Sequence, residues 1–205
     1  MKSWIKNFRW VLPIILITML ILVGCTPKRV TRVKSSEVTD LSGRWNDTDS
    51  RLVSQAMVGD VLSRFWLNDF SQKENRKPRV IVGTVVNRSH EHIATNSFVK
   101  DLERELINSG RVSFVASSGE RKELRQERKD QQTQSSEETA KRLAQETAAD
   151  FMLKGSILTI IDQLDGTKVK FYQINLELIN IESNEKVWIG DKKIKKVVDR
   201  DSRKF

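Results

Sequence analysis

Arg79-Val80-Ile81-Val82-Gly83-Thr84-Val85-Val86 is a nearly continuous β-branched run, and it constrains the fold of this 205-residue chain more than any other stretch. β-Branched side chains pack well on a pleated surface. A run without polar alternation reads as a central strand with both faces covered. Gly83 in its middle predicts close packing against a helix. Asn87-Arg88-Ser89-His90-Glu91-His92 then reads as a loop leaving the strand.

Helices are expected on either side. Asp47, Thr48, Asp49 and Ser50 are all acceptable N-caps. Leu52, Val53, Ala56, Met57, Val61, Leu62, Phe65 and Trp66 follow at helical spacing, predicting one helix with a wide apolar face. Ser71 to Pro78 reads as a charged loop. A second helix starts near Thr95 or Asn96, buries Phe98, Val99, Leu102, Leu106 and Ile107, and stops at Gly110 in a left-handed cap. Arg111 to Val115 is then a short strand, and the tight strand–helix–strand order favours a parallel crossover. Glu120 to Glu146 holds seven positive and seven negative residues, the pattern of an exposed helix laced with i,i+4 pairs. Ser135 and Glu138 match a capping box for a further helix that ends at Asp150.

The C-terminal third reads as hairpins. Phe151 to Ile161 is a strongly apolar strand, and Asp165-Gly166 and Ser183-Asn184 are turn signals. Lys168 to Ile181 and Glu185 to Val197 alternate as antiparallel strands. Tyr172, Ile174, Leu176, Leu178 and Asn180 form the core-facing side of the first. Lys168-Val169-Lys170-Phe171-Tyr172, where cations interleave with aromatics, reads as a hairpin edge. The sum is a single α+β domain with a mixed parallel and antiparallel sheet packed by helices, over residues 51–198. Residues 199–205 are expected to fray as a basic tail.

The N-terminus carries a different signal. Lys2, Lys6 and Arg9 precede an apolar run, and Leu22-Val23-Gly24-Cys25 ends it. A positive start, an apolar middle and a small residue at the cut make a signal peptide, here 1–24. The alternative, an uncleaved anchor, has only Val11 to Val23, about 20 Å of helix against a bilayer core of roughly 30 Å. Small residues before a cysteine resemble the lipobox of bacterial lipoproteins, which implies lipidation of Cys25 and acylation of its new amine. Three acyl chains exceed what stable anchoring requires. By the same resemblance Thr26, where inner-membrane lipoproteins usually have Asp, favours the periplasmic face of the outer membrane. Residues 25–50 read as a tether and lead-in segment.

Charge and chemistry narrow the function. The net charge of +9 falls to about +6 without the signal peptide. From Lys186 to Phe205 there are eight Lys/Arg against three Asp. Export makes nucleic acid an improbable partner for that charge and leaves anionic headgroups, acidic wall polymer or an acidic protein face. An acylated Cys25, the only cysteine, can form no disulfide. His90 and His92 are the only histidines, and a zinc site needs ligands beyond such a pair. No Gly-x-Ser-x-Gly elbow and no phosphate loop occurs. No catalytic constellation, metal or cofactor is therefore expected.

Several stretches together resemble a known family. They are Pro78 to Ser89, Glu91-His92-Ile93, Leu106 to Gly110, Ala148 to Ile157, Lys170-Phe171-Tyr172, Ile181 to Trp188 and Gly43 to Asp49. In this order, behind a lipobox, they look like the penicillin-binding-protein activator lipoproteins of the LpoB type. The resemblance implies a domain similar to the N-terminal domain of TolB, on an outer-membrane lipoprotein. It also implies a non-catalytic role, binding and activating a class A penicillin-binding protein, a bifunctional peptidoglycan synthase. The alternative is an assembly or structural lipoprotein of an envelope or secretion complex. Enteric members carry a long Pro-rich tether, whereas here Cys25 to Arg51 is 26 residues, about 30 Å as a flexible coil. The charged insert Arg121–Gln134 has no obvious enteric counterpart. As the partner-binding residues we take Asn87, Arg88, His90 and His92, just beyond the central strand. Asn87 and Ser89 shaping the turn is the competing reading.

Overall fold

The computed structural model describes residues 29–34, 36–133 and 148–199. Cys25 and the Ser135/Glu138 capping box lie outside the described residues, as do residues 200–205. The chain divides into two compact units, one ending at Glu37 and one beginning at Val38. The second holds the fold, an α+β domain in which four helices accompany five strands among the described residues.

Helix α1 spans Asp47–Leu62 and α2 spans Phe65–Glu74. Strand β1 is Arg79–Arg88, α3 is Thr95–Asn108, β2 is Ser113–Phe114 and α4 is Ser118–Thr133. Strands β3 (Phe151–Leu164), β4 (Thr167–Asn180) and β5 (Lys186–Asp199) complete the sheet. Its order is β2-β1-β3-β4-β5. β1 pairs in parallel with β2 and β3, while β3, β4 and β5 form an antiparallel meander. The mixed sheet predicted from the sequence is thus present, with the β-branched run inside it.

One face of the sheet is the core. Val80, Val82, Phe151, Leu153, Ile157, Tyr172, Ile174, Leu176, Leu178 and Trp188 are buried there with Val53, Met57 and Val61 of α1 and Phe98, Leu102 and Leu106 of α3. The predicted core side of β4 is correct from Tyr172 to Leu178, while Asn180 is half-buried and accepts from the turn amides of Glu182 and Ser183, and period-two alternation is what made the face legible. The opposite face of the sheet is partly open, with Val86, Ile160, Ile189 and Val197 exposed. β1 therefore has both faces covered only in its first half, up to Val82.

Several boundaries differ from expectation. The first helix breaks at Ser63-Arg64, and α2 continues through Ser71 to Glu74, where a loop was expected. The break lets Trp66 turn into the core, where its indole donates to the Val61 carbonyl (2.7 Å) at the end of α1 and packs on Phe151. The buried stripe of α1 consequently runs Ser50, Val53, Ser54, Met57, Val58, Val61, Leu62, and Leu52 and Phe65 are exposed. Its N-cap is Asn46, one residue before the predicted set, in a capping box with Asp49. α3 matches its prediction, including positive φ at Gly110, although Ile107 is exposed. The strand expected over Arg111 to Val115 is only two residues in the ladder.

Gly83 faces the Met152 side chain of the neighbouring strand rather than a helix. β1 extends through Asn87 and Arg88, so the loop starts at Ser89. β4 is flanked by strands on both sides, so Lys168 to Tyr172 is not an edge. Asp199 does not fray, since it pairs with Thr167 and accepts from its hydroxyl (2.8 Å).

Candidate functional site: a loop set on a buried carboxylate

The loop after β1 is shaped by two short polar side chains. Asn87 Nδ2 donates to the Glu91 carbonyl (2.8 Å), and Asn87 Oδ1 accepts from the Ser89 amide (2.9 Å). The Ser89 hydroxyl lies 2.6 Å from Asn87 Oδ1 and accepts from the Glu91 amide (3.2 Å). Such side-chain bonds to nearby backbone stand in for a regular turn. Beside the loop, the His90 amide donates to Thr159 Oγ1 on β3 (3.1 Å), and its ring Nδ1 is 3.1 Å from the same oxygen.

Of the residues singled out from the sequence, Arg88, His90 and His92 are exposed and Asn87 is half-buried. His92 lines an open groove with Trp45, Lys100, Asp101 and Arg104, between the start of α1 and the face of α3. Asp101 is held there by the Ser50 hydroxyl (2.7 Å) and by Arg104 (2.7 Å). Among the described residues no group of three His, Cys, Asp or Glu side chains is placed to hold a metal ion.

The central feature is Glu91, which the sequence offers as part of a family motif but not as a site residue. Its side chain is mostly buried at the sheet, 12% exposed. Oε1 accepts from Lys170 Nζ (2.7 Å), and Oε2 accepts from the Tyr172 hydroxyl (2.8 Å) and the Trp45 amide (3.3 Å). Burial pushes the Glu91 carboxyl up, but the bonds from Lys170, Tyr172 and Trp45 outweigh it and hold the carboxyl below its ordinary value. Burial, then the hydrogen bond and the charge of Glu91, push the Tyr172 hydroxyl well above its ordinary value. The carboxylate stays ionised and the phenol stays protonated, each held by the other. This is an arrangement that locks, not one poised for proton transfer.

A second buried cation completes the cluster. Lys196 Nζ donates to Asp40 Oδ1 and Asp49 Oδ2 (both 2.6 Å) and to the Arg44 carbonyl (3.2 Å). Burial lowers the Lys196 ammonium's pKa, and the two carboxylates more than restore it, so the net shift is upward. Trp45 sits between these two networks, with its ring 5.9 Å from Phe98 and 5.8 Å from Tyr172. These bonds and ring contacts tie the loop, the lead-in segment, β4 and β5 together. Lys170 had a signal in the sequence. It shares the alternating face of Tyr172 and Ile174, so period two alone places a lysine on the core side.

Comparison with known proteins agrees with the resemblance carried by the motifs. The family described as peptidoglycan-synthase activator LpoB matches residues 49–194. No curated protein matches the chain. Among solved structures, the LpoB C-terminal domain from Escherichia coli is similar at 18% identity, covering 71% of this chain and 98% of that one, with a TM-score of 0.44. The LpoB C-terminal domain from Salmonella enterica is similar at 17% identity with the same coverages, 71% and 98%, and a TM-score of 0.43. Lipoprotein GNA1162 from Neisseria meningitidis is similar at 12% identity, over 58% of this chain and 83% of that one, with a TM-score of 0.37. With its family matched from the first helix into the last strand, this chain belongs to the LpoB family of peptidoglycan-synthase activators.

Proposed function

We propose that this chain is an outer-membrane lipoprotein, anchored through Cys25, that binds a class A penicillin-binding protein and raises its activity without catalysing a reaction itself. The observation that carries the reading is the family match over residues 49–194. The hydrogen-bonded Glu91–Lys170–Tyr172 cluster supports the non-catalytic part, because its titratable groups are committed to one another. The loop of Asn87, Arg88, His90 and His92 is the contact surface, with Asn87 holding its shape and the other three presented to the partner. A chain from Cys25 onward with Cys25→Ser, added to class A synthases of the host, binds one of them and speeds glycan polymerisation. Arg88→Glu with His92→Glu weakens that binding at least tenfold. Absence of binding and of acceleration with every such synthase defeats the reading. Labelled palmitate entering the native chain, and failing to enter the Cys25→Ser variant, tests the anchor separately.

A further inference from the structure

β1 is paired along nearly its whole length on one side and only at its start on the other. Toward β3 the register runs from Val80↔Phe151 to Arg88↔Leu158, with a slip between Val82 and Val85. Toward β2 it covers Arg79↔Ser113 and Val80↔Phe114. The Ser113 amide donates to the Pro78 carbonyl and the Val115 amide to the Val80 carbonyl (both 2.9 Å). Among the described residues no strand continues β2 along β1 beyond that point. Val82 is next in the alternation of Pro78 and Val80, so its backbone turns to the same side.

Beside this stretch lies a groove of about 620 Å³. Its floor is β1 from Ile81 to Val85, and α3 walls one flank while Ser117 and Arg121, at the start of α4, wall the other. Val99 is the apolar side chain that α3 presents there. Lys100, on the same wall, is committed to Glu103 (2.6 Å) and Glu120 (3.0 Å). Thr84 is exposed and Val86 is 42% exposed, so the strand is open to solvent along this half. Ile81 to Asn87 holds neither a charged residue nor a proline. The opposite margin of the sheet differs, since β5 carries Lys192, Lys193 and Lys195, all exposed. Lysines on an outer strand discourage another strand from pairing there.

We propose that the β1 edge accepts a short, uncharged, extended segment of a partner protein as an added strand, in line with β2. An open strand edge specifies its occupant, because only an extended backbone offers the matching row of amides and carbonyls. The charges on the α3 wall already neutralise one another, so a charged segment would find no counter-ion in Lys100. The slip between Val82 and Val85 bends the edge. A bent stretch between two helix walls suits a short segment rather than the long margin of a second copy's sheet. Five residues, about 17 Å, would follow β1 from Val82 to Val86.

The probe is the peptide Val-Thr-Val-Thr-Val, acetylated, amidated and labelled with a fluorophore. It is titrated into the chain from Cys25 onward with Cys25→Ser, and binding is read by anisotropy. Bound peptide is expected to slow amide exchange between Ile81 and Val86 at least about tenfold, because outward-facing amides gain partners. Of two peptides N-methylated at alternate residues, the one blocked toward β1 loses at least about tenfold in affinity and the other keeps it. Thr84→Lys, which gives β1 the guard that β5 has, weakens binding, while Ile189→Lys on β5 leaves it unchanged. Circular dichroism establishes that both variants are folded. No binding up to the peptide's solubility limit overturns the proposal, as does exchange slowed only outside Ile81 to Val86. Equal affinity of both N-methylated peptides also overturns it, since main-chain pairing then contributes nothing. A dimer whose formation itself slows exchange at Val82 to Val86 gives the edge to a second copy instead, and the proposal falls. The assay contains no synthase and leaves Asn87 to His92 intact, so this proposal and the proposed function fail separately.

Discussion

Two residues carry disproportionate consequences. Glu91 neutralises Lys170, whose side chain is as buried as the carboxylate it meets. Removing one member of a buried pair leaves an uncompensated charge, at a cost of about 3–5 kcal/mol. Glu91→Ala is therefore expected to lower unfolding stability by that amount in urea titration, and Glu91→Leu with Lys170→Met to recover most of it. Recovery in the double variant identifies the loss as stranded charge rather than lost packing. Gly155 is the other case. A Cβ there would lie 2.0 Å from the Asn175 carbonyl oxygen on β4, a backbone atom that cannot step aside without opening the sheet. Gly155→Ala is expected to cost at least about 1–3 kcal/mol, the range for overpacking, read as a lower urea midpoint. At this scale the sequence was partly legible. The face of Lys170 follows from alternation along β4, but its partner does not, because Glu91 lies 79 positions away.

Among the elements, the lead-in segment before α1 changes most between sequence and structure. Residues 40–46 look like linker, rich in turn formers around one tryptophan. In the fold they bridge the Lys196 and Glu91 clusters, and Trp45 closes the core over Phe98 and Tyr172. Trp45→Ala is expected to cost about 3 kcal/mol. It should also raise amide exchange across residues 40–46 and the Glu91 loop together, while β1 and β3 keep their protection. Exchange rising at Trp45 alone would show that the two segments are not coupled. A second latch ties the chain before β1 to the start of β3. Arg76 makes a two-pronged pair with Asp150 (2.7 and 2.8 Å), which also accepts from the Arg79 amide (2.7 Å). Helix break and helix face show what local pattern misses. Apolar spacing runs on through Phe65 and Trp66, yet Trp66 gains more by turning onto Phe151 and the Val61 carbonyl than by extending α1.

At the scale of the whole molecule, these clusters set the pH range of stability. Burial pushes the Glu91 and Asp150 carboxyls up, and their hydrogen bonds and ion pairs outweigh it and hold both below their ordinary values. The Ser117 hydroxyl and amide and the Lys100 ammonium lower Glu120 to about 2. A carboxyl depressed in the folded state contributes stability that is complete above its unfolded value and lost as pH falls through the folded one. Tyr172, raised by burial and by Glu91, and Lys196, raised by its carboxylates against burial, contribute stability that is lost as pH rises past their unfolded values. Thermal unfolding is thus expected to be level from about pH 5 to 9 and to weaken below about 4 and above about 10. A maximum near pH 6 with steep loss by pH 8 would show that a histidine, not these groups, governs stability. The sequence by itself determined the strand order of the hairpins, the inner face of β4, the α3 cap and the family, because alternation, turn chemistry and motif spacing are local. Only the tertiary structure decided that Glu91 meets Lys170 and that the lead-in segment belongs to the core. Those facts depend on which distant segments meet, and burial at such meetings, rather than any local preference, sets both the charge pairing and the exposed remainder.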